Sequence, residues 1–202
     1  MHIICSDLEG VFVPEIWINV AQITGIDELR LTTRDISDYN VLMRKRLGLL
    51  DDNGLTLHDI QQVIATMEPL KGALEFMDWL RSVTPLIVVS DTFVEFADPL
   101  LDKLKRPVLF CNHLVVAADG RITDYRLRQQ DGKRHVVAGL QSMNFKVLAM
   151  GDSYNDISML KQAERGILFR PPDNVVAEHP EFPVIRDFEA LKDLIQQTLP
   201  EL

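Results

Sequence analysis

The sequence has few cysteines and no long apolar run. Cys5 and Cys111 are the only two cysteines among 202 residues, and they lack the paired spacing of a zinc site or of a disulfide framework. No apolar stretch approaches the roughly 18 residues that would span a bilayer. These absences argue against a disulfide-stapled secreted domain and against a transmembrane protein. We therefore expect a reducing, cytoplasmic location and no membrane partner.

Basic residues are also in short supply. Lys and Arg number 21 against 30 Asp and Glu, which leaves a formal charge of −9. The negative electrostatic field of such a protein repels nucleic-acid phosphates and anionic membranes, so neither is an expected partner. An anionic small molecule would have to be held by local cations, helix N-termini or a metal. Asp7 and Glu9 follow the first apolar run too soon for a signal peptide, so we expect none.

Apolar runs and helix-period stretches alternate along most of the chain. With 47% hydrophobic and 25% charged residues, the composition is that of one compact globular unit. Strand-like runs are predicted at residues 2–6, 85–90, 108–111, 146–150 and 166–169, with a last one at 183–185. Helices are predicted at residues 73–82, 95–104, 133–142, 157–163 and 189–198. This alternation predicts an α/β fold, a doubly wound parallel sheet with helices on both faces.

Residues 15–68 interrupt the alternation with helical stretches and no strand-like run. Ser37 and Thr56 are the expected N-caps of helices over 38–47 and 57–67. We interpret this insertion after the first strand as a helical cap. The predicted division is a catalytic core of residues 1–14 and 71–202 and a cap of residues 15–70.

A second interruption lies at residues 114–127. Two alternating apolar segments flank Asp119 and Gly120, a dipeptide typical of a tight turn between antiparallel strands. A β-hairpin is therefore predicted here.

Acidic and polar residues follow three of the predicted strands. Asp7 and Glu9 follow the first run, Ser90-Asp91-Thr92 the second, and residues 151–156 (Gly-Asp-Ser-Tyr-Asn-Asp) the fourth. Ligands of open parallel sheets bind at these carboxyl ends. Carboxylates gathered there would repel one another without a cation, and hard oxygen ligands suit Mg²⁺. Asp156, one helical turn after Asp152, could reach either that cation or Lys133.

These segments resemble the four motifs of the haloacid dehalogenase superfamily, in family order and spacing. The motifs are Asp7-Leu8-Glu9-Gly10-Val11, Ser90-Asp91-Thr92, Lys133, and the 151–156 segment. The cap is similar to that of phosphoserine phosphatases, including bacterial members that also transfer phosphate to homoserine. Glu15 follows the first motif, Arg44-Lys45-Arg46-Leu47 lies on a predicted cap helix, and Leu70-Lys71-Gly72-Ala73 marks the return to the core.

The resemblance implies a Mg²⁺-dependent phosphomonoesterase acting on O-phospho-L-serine. Asp7 would be the nucleophile and form an aspartyl-phosphate, with Glu9 as acid and base. The metal would bind Asp7, the main-chain carbonyl of Glu9 and Asp152, with Asp156 supporting the metal or Lys133.

Further residues would hold the substrate. The resemblance implies phosphate binding by Lys133, by the hydroxyl of Ser90 and by the main-chain N–H of Asp91, with Asn155 also in contact. On the cap, Arg46 would pair with the substrate carboxylate and Glu15 with its amino group.

Two positions depart from the family pattern. Family members usually carry Asp where Glu9 stands, and the longer side chain moves the carboxyl by one methylene. Water activation would then be poorer, leaving the phospho-enzyme open to an alcohol acceptor such as homoserine. The second motif, Ser90-Asp91-Thr92, also lacks the Gly that commonly follows the Ser in phosphoserine phosphatases, which bears on substrate choice.

Other interpretations remain open at this stage. The motifs taken singly are compatible with solvated turns and helix caps, and Arg44-Lys45-Arg46 with a solvated helix surface. A phosphatase for another small phosphorylated metabolite, a phospho-accepting receiver module and a catalytically inert phosphate-ester binder are the competing functions. Apolar cap residues Ile16, Trp17 and Ile23 fit either a homodimer or intramolecular packing.

Overall fold

The computed structural model describes residues 1–32, 35–36 and 38–201. One seven-stranded sheet organises this part of the chain. Its strands are β1 (His2–Ser6), β2 (Leu86–Phe93), β3 (Leu109–Val116), β4 (Ile122–Arg126), β5 (Lys146–Gly151), β6 (Arg165–Phe169) and β7 (Val184–Ile185). They lie in the order β4-β3-β2-β1-β5-β6-β7. Neighbours pair in parallel except β3 and β4, which are antiparallel. The predicted parallel sheet is confirmed.

Helices fill the connections between the strands. They are α1 (Ile16–Thr24), α2 (Tyr39–Asp52), α3 (Leu57–Ala65), α4 (Ala73–Val83), α5 (Val94–Lys103), α6 (Gly132–Ser142), α7 (Ile157–Gln162), α8 (Asp173–Glu178) and α9 (Phe188–Thr198). Helix α8 was not predicted. It has only six residues and directly follows Pro171 and Pro172, so its periodic signal is short.

The sheet is buried on both faces, as its continuous apolar strands predict. Ile4 and Leu148 point to one face and join a cluster with residues of α4, α5 and α9. Cys5 and Val147 point to the other face and pack with residues of α6 and α7. Alternation along each strand thus supplies two cores, one on each side.

Helices α1 to α3 lie between β1 and α4, where the cap was predicted. Thr56 is the N-cap of α3, as predicted, and it forms a capping box with Asp59. Ser37 lies outside the described residues, and the side chain of Asp38 caps α2 by accepting the N–H of Val41 at 3.0 Å. Apolar residues of all three helices belong to the same buried cluster as Ile4 of the sheet.

Two of the three apolar cap residues singled out in the sequence are packed inside the chain. Ile16 is fully buried and Trp17 is 9% exposed, whereas Ile23 is 55% exposed. Intramolecular contacts therefore account for Ile16 and Trp17.

The second and third strands are longer than their apolar runs predicted. β2 continues through Ser90-Asp91-Thr92 to Phe93, with a shift of register against β3 after Val89. The motif was expected after the strand, and it instead forms the irregular end of the strand itself. β3 likewise runs unbroken into the predicted hairpin, whose turn contains Gly120 at φ +88°.

The hairpin contacts the cap helices. Arg44 of α2 pairs with Asp124 at 2.9 Å, and the N–H of Leu57 donates to the carbonyl of Gly120 at 2.9 Å. The predicted hairpin therefore connects the edge of the sheet to the inserted helices.

In the described part of the chain, no helix has both the length and the apolar character to cross a membrane. Cys5 and Cys111 are both free and buried, and burial raises the pKa of the Cys5 thiol to about 12.

Candidate active site

Asp7 stands where β1 ends, beside the end of β5. Its N–H donates to the carbonyl of Met150 at 2.9 Å, which continues the parallel pairing by one residue. Its Oδ1 accepts the N–H of Leu8 at 2.8 Å and lies 2.9 Å from Nζ of Lys133. The side chain is 5% exposed, so this carboxylate is held in one direction at the floor of a cavity.

Lys133, in the first turn of α6, is surrounded by carboxylates. Its Nζ lies 2.7 Å from Oδ1 of Asp156 and 3.8 Å from Oδ2 of Asp91. Burial alone would lower the pKa of Lys133, but the charges of Asp156 and Asp7 raise it well above its usual range. Lys133 is therefore a permanent cation behind Asp7.

Both carboxylate oxygens of Asp156 accept hydrogen bonds. Oδ1 binds Lys133, while Oδ2 accepts the N–H groups of Asp152 at 2.9 Å and Ser153 at 3.1 Å. Of the two partners left open by the sequence, Asp156 contacts Lys133 directly. This close approach requires glycine at position 151, since a Cβ there would overlap the Asp156 carboxylate.

The carboxylates of Asp7, Asp152 and Asp156 converge beside Lys133. Oxygens of Asp7, Asp152 and Asp156 all lie within 4.8 Å of one another. Burial, together with the charge of Asp156, raises the pKa of Asp152 to about 7, and burial raises that of Asp7 well above its usual range. The negative charges of these carboxylates repel one another. A divalent cation bound to Asp7 and Asp152 would relieve this repulsion, and the all-oxygen donor set fits such an ion.

Glu9 lies on the cap side of the cavity. Its Oε2 accepts the N–H of Ile16, the first residue of α1, at 2.8 Å. Burial, and then the nearby charge of Glu15, raises the pKa of Glu9 to about 8. A carboxyl of this kind holds a proton at neutral pH and can donate it.

The Ser90-Asp91-Thr92 motif forms one wall of the cavity. The hydroxyl oxygen of Ser90 accepts the N–H of Thr92 at 3.2 Å. Asn155 donates to Oδ2 of Asp91 at 2.9 Å. The structure thus joins Asn155 to Asp91, a contact that the sequence did not predict.

Arg46 approaches the same cavity from α2. Its guanidinium stacks on the ring of Trp17 at 4.6 Å, and Nη2 donates to the carbonyl of Leu31 at 2.8 Å. Nε is buried and has no hydrogen-bond partner among the described residues. Burial lowers the pKa of Arg46 to about 10, still far above neutral. Arg46 is therefore a cation in the wall of the cavity.

A cavity of about 360 Å³ brings the predicted residues together. Its walls include Asp7, Glu9, Glu15, Arg46, Ser90, Asp91, Lys133, Asp152 and Asn155. Asp156 lies behind Lys133 and does not line it. Tyr39, Leu42 and Thr92 also line the cavity and were not predicted as site residues. Tyr39 begins a helix and Leu42 follows an ordinary helical period, so only the packing of the cap against the sheet identifies them.

Comparisons with known proteins identify the family of this chain. A family model described as haloacid dehalogenase-like hydrolase matches residues 4–164. The chain is 53% identical over 192 residues to a Pseudomonas aeruginosa protein named phosphoserine phosphatase ThrH, covering 95% of this chain and 94% of that one. It is 52% identical to a phosphoserine phosphatase of Pseudomonas syringae pv. tomato, covering 95% of this chain and 81% of the relative.

A solved structure of a phosphoserine phosphatase in its apo form is similar over 95% of this chain and 98% of that chain. The TM-score is 0.77 at 26% sequence identity. The family match covers more than half of the sequence and includes Asp7, Ser90, Lys133 and Asp152. The chain belongs to the haloacid dehalogenase-like hydrolase family.

Proposed function

We propose that this protein is a Mg²⁺-dependent phosphatase that hydrolyses O-phospho-L-serine through an aspartyl-phosphate on Asp7. One observation carries the proposal. A single cavity holds a buried carboxylate fixed by Lys133 at its floor and the oppositely charged Arg46 and Glu15 on its cap side. The Pseudomonas relatives named phosphoserine phosphatases support the same substrate.

In the first step, an oxygen of Asp7 attacks phosphorus and the bond to the serine oxygen breaks. Glu9 protonates the departing oxygen, so serine leaves as the alcohol. In the second step, Glu9 takes a proton from water, which attacks the aspartyl-phosphate and releases inorganic phosphate and free Asp7. Splitting the displacement in this way replaces one difficult step by two easier ones.

Asp7, Asp152 and the main-chain carbonyl of Glu9 would hold the Mg²⁺. The bound ion would neutralise negative charge on the phosphate oxygens. Asp156 supports this site by orienting Lys133 and by accepting the N–H of Asp152. Lys133, the Ser90 hydroxyl and the main-chain N–H of Asp91 would hold the remaining phosphate oxygens.

The cap side of the cavity fits an amino acid. Arg46 is a cation in the wall of the cavity, and a substrate carboxylate would accept a charge-assisted hydrogen bond from its guanidinium. The exposed carboxylate of Glu15 would pair with the substrate ammonium, and Asn155 would contact the substrate from the core side. A generic phosphate ester lacks both charges and would use neither cap residue.

We also propose that the phospho-enzyme passes its phosphoryl group to homoserine as well as to water. Oε2 of Glu9 accepts a hydrogen bond from the N–H of Ile16. A carboxyl group held in this position would have limited access to the attacking water. The homoserine hydroxyl would then attack phosphorus in place of water and lose its proton to Glu9. The bond between phosphorus and the Asp7 oxygen would break, which releases O-phosphohomoserine and the free Asp7 carboxylate.

The test is the release of inorganic phosphate from O-phospho-L-serine, measured with Mg²⁺, with EDTA, and with homoserine added. We expect release that requires Mg²⁺ and that Asp7→Asn abolishes. Asp173→Asn is the matched control, since that side chain is 99% exposed, and it should keep wild-type activity. If the protein hydrolyses an aryl phosphate but not phosphoserine, the proposed substrate is wrong. If Asp7→Asn retains activity, the assignment of Asp7 as the nucleophile is wrong.

Three further expectations are proposed on the same basis: a catalytic core of residues 1–14 and 71–202 under a cap of residues 15–70, a homodimer that buries the exposed Ile23, and a cytoplasmic location. Light scattering over a range of protein concentrations tests the homodimer, which a constant monomer mass would contradict.

A further inference from the structure

Asn112 is a buried polar side chain that lies outside the motifs and connects two segments of the site. It is on β3 and is 5% exposed. Its Nδ2 donates to the carbonyl of Asp91 at 3.0 Å, and its Oδ1 accepts the N–H of Arg128 at 2.9 Å. Only this orientation of the amide satisfies both partners, because one is an acceptor and the other a donor.

The first connection reaches the Ser90 hydroxyl. The carbonyl of Asp91 and the N–H of Thr92 belong to one planar peptide unit, so fixing one fixes the direction of the other. The Thr92 N–H donates to Oγ of Ser90 at 3.2 Å. An oxygen that accepts this bond keeps its own hydrogen for donation into the cavity. The Tyr39 hydroxyl, at 3.3 Å, is a second donor to the same Asp91 carbonyl.

The second connection reaches the segment before Lys133. Arg128 lies in the loop between β4, which ends at Arg126, and α6, whose second residue is Lys133. One amide therefore joins the strand end carrying Ser90 to the loop that leads to the Lys133 ammonium. These are the two side chains assigned to the phosphate oxygens.

We propose that Asn112 is a positioning residue for phosphate binding, which sets the Asp91–Thr92 peptide and thereby aims the Ser90 hydroxyl. The inference rests on the proposed function, because it takes Ser90 as a phosphate ligand. Asn112 acts through Ser90 and touches no substrate atom.

Asn112→Asp separates the two bonds. The carboxylate is nearly the same shape and still accepts the Arg128 N–H, but it cannot donate to the Asp91 carbonyl and repels it. We expect kcat/KM for O-phospho-L-serine and for an aryl phosphate to fall together by about 10- to 100-fold, as for the loss of one oriented donor to a charged group. Asn53→Asp is the matched control, since its exposed amide donates to the carbonyl of Leu49 outside the cavity.

A double-mutant cycle distinguishes positioning from a general structural role. With the Ser90 hydroxyl already removed in Ser90→Ala, Asn112→Asp should lower kcat/KM by less than about threefold. The full loss in both backgrounds, or wild-type kinetics in Asn112→Asp, would overturn the proposal. Tyr39→Phe removes the second donor to the Asp91 carbonyl. It should lower kcat/KM by less than Asn112→Asp does, and this loss should also disappear in the Ser90→Ala background. If Asn112→Asp does not fold, the cycle is carried out with Tyr39→Phe instead.

Calorimetric titration with inorganic phosphate gives a readout that does not depend on turnover. Asn112→Asp should bind phosphate about 10-fold more weakly than wild type and Asn53→Asp. If wild type fails to hydrolyse phosphoserine, the proposed function fails, and this titration still decides the role of Asn112. Equal affinity in wild type and Asn112→Asp would overturn that role.

Discussion

Lys133 and Asp156 form a buried ion pair with Nζ and Oδ1 2.7 Å apart, and neither side chain is more than 3% exposed. Each charge is therefore compensated by the other and by groups in the site. Removing one member leaves the other in a low-dielectric environment without its partner, which costs much more than the net contribution of an intact pair.

Asp156→Asn should lower the free energy of unfolding by about 3 kcal/mol, because it leaves the Lys133 ammonium partly uncompensated. It should also lower kcat, since Lys133 would no longer be held against Asp7. Urea denaturation measures the first effect and phosphate release the second. Glu189→Gln is the control: its pair with Lys192 is at the surface, with Glu189 82% exposed, and its loss should change stability by less than about 0.5 kcal/mol. An Asp156→Asn variant as stable as Glu189→Gln would contradict the prediction.

Arg46→Met should affect amino-acid substrates selectively. The variant keeps much of the side-chain volume over Trp17 but removes the donors to a carboxylate. We expect KM for O-phospho-L-serine to rise about 100-fold, as for a lost charged contact of nearly 3 kcal/mol. KM for an aryl phosphate should stay nearly unchanged.

Arg44→Met is the control for this experiment, because Arg44 pairs with Asp124 on the hairpin. Its KM for phosphoserine should match that of wild type. If Arg46→Met raises KM equally for phosphoserine and for the aryl phosphate, Arg46 does not bind the substrate carboxylate.

Glu9→Asp should change the fate of the phospho-enzyme. The shorter side chain would lose its reach to the N–H of Ile16, 2.8 Å from Oε2, and would become free to activate water. The ratio of phosphohomoserine to free phosphate should then fall. Product analysis at fixed homoserine concentration measures it, with the exposed Glu28→Asp as control. An unchanged ratio would mean that Glu9 does not govern the partition.

Gly10→Ala should weaken metal binding. Gly10 has φ +72°, and a Cβ there would overlap the carboxylate of Asp152. The left-handed conformation alone should cost about 1–2 kcal/mol for Ala, and displacement of Asp152 should raise the Mg²⁺ concentration needed for half-maximal activity. Gly139→Ala is the contrasting variant, since a Cβ added at this position of α6 would meet no atom of the described residues within 4 Å outside the adjoining turns of its own helix; it should gain about 0.5–1 kcal/mol in stability.

Urea denaturation and Mg²⁺ titration of phosphate release check both glycine variants. A Gly10→Ala protein with wild-type Mg²⁺ dependence would show that Asp152 moves aside without loss of the site.

Strand positions and strand-end carboxylates followed from the sequence because they depend on local pattern. Short apolar runs such as residues 146–150, alternating with helical stretches, are typical of a parallel sheet buried on both faces. The polar residues directly after those runs must then meet at one edge of the sheet. Asp7 and Asp152 could be placed together on this argument alone. The long β2 was missed because Ser90-Asp91-Thr92 is polar, and the strand resumes its pairing with β3 only beyond this motif, where Phe93 lies opposite Asn112.

The amino-acid sequence by itself determined the sheet, the inserted helices and the set of charged residues at the strand ends, because hydrophobic period and chain order specify these. Tertiary structure decided how those charges are paired. Asp156 binds Lys133, Glu9 binds the N–H of Ile16, Arg46 stacks on Trp17, and Asn112 joins Asp91 to Arg128. Each partner is distant in sequence or belongs to another element, so its contact exists only after the cap and hairpin pack against the sheet and exclude water from the polar groups between them.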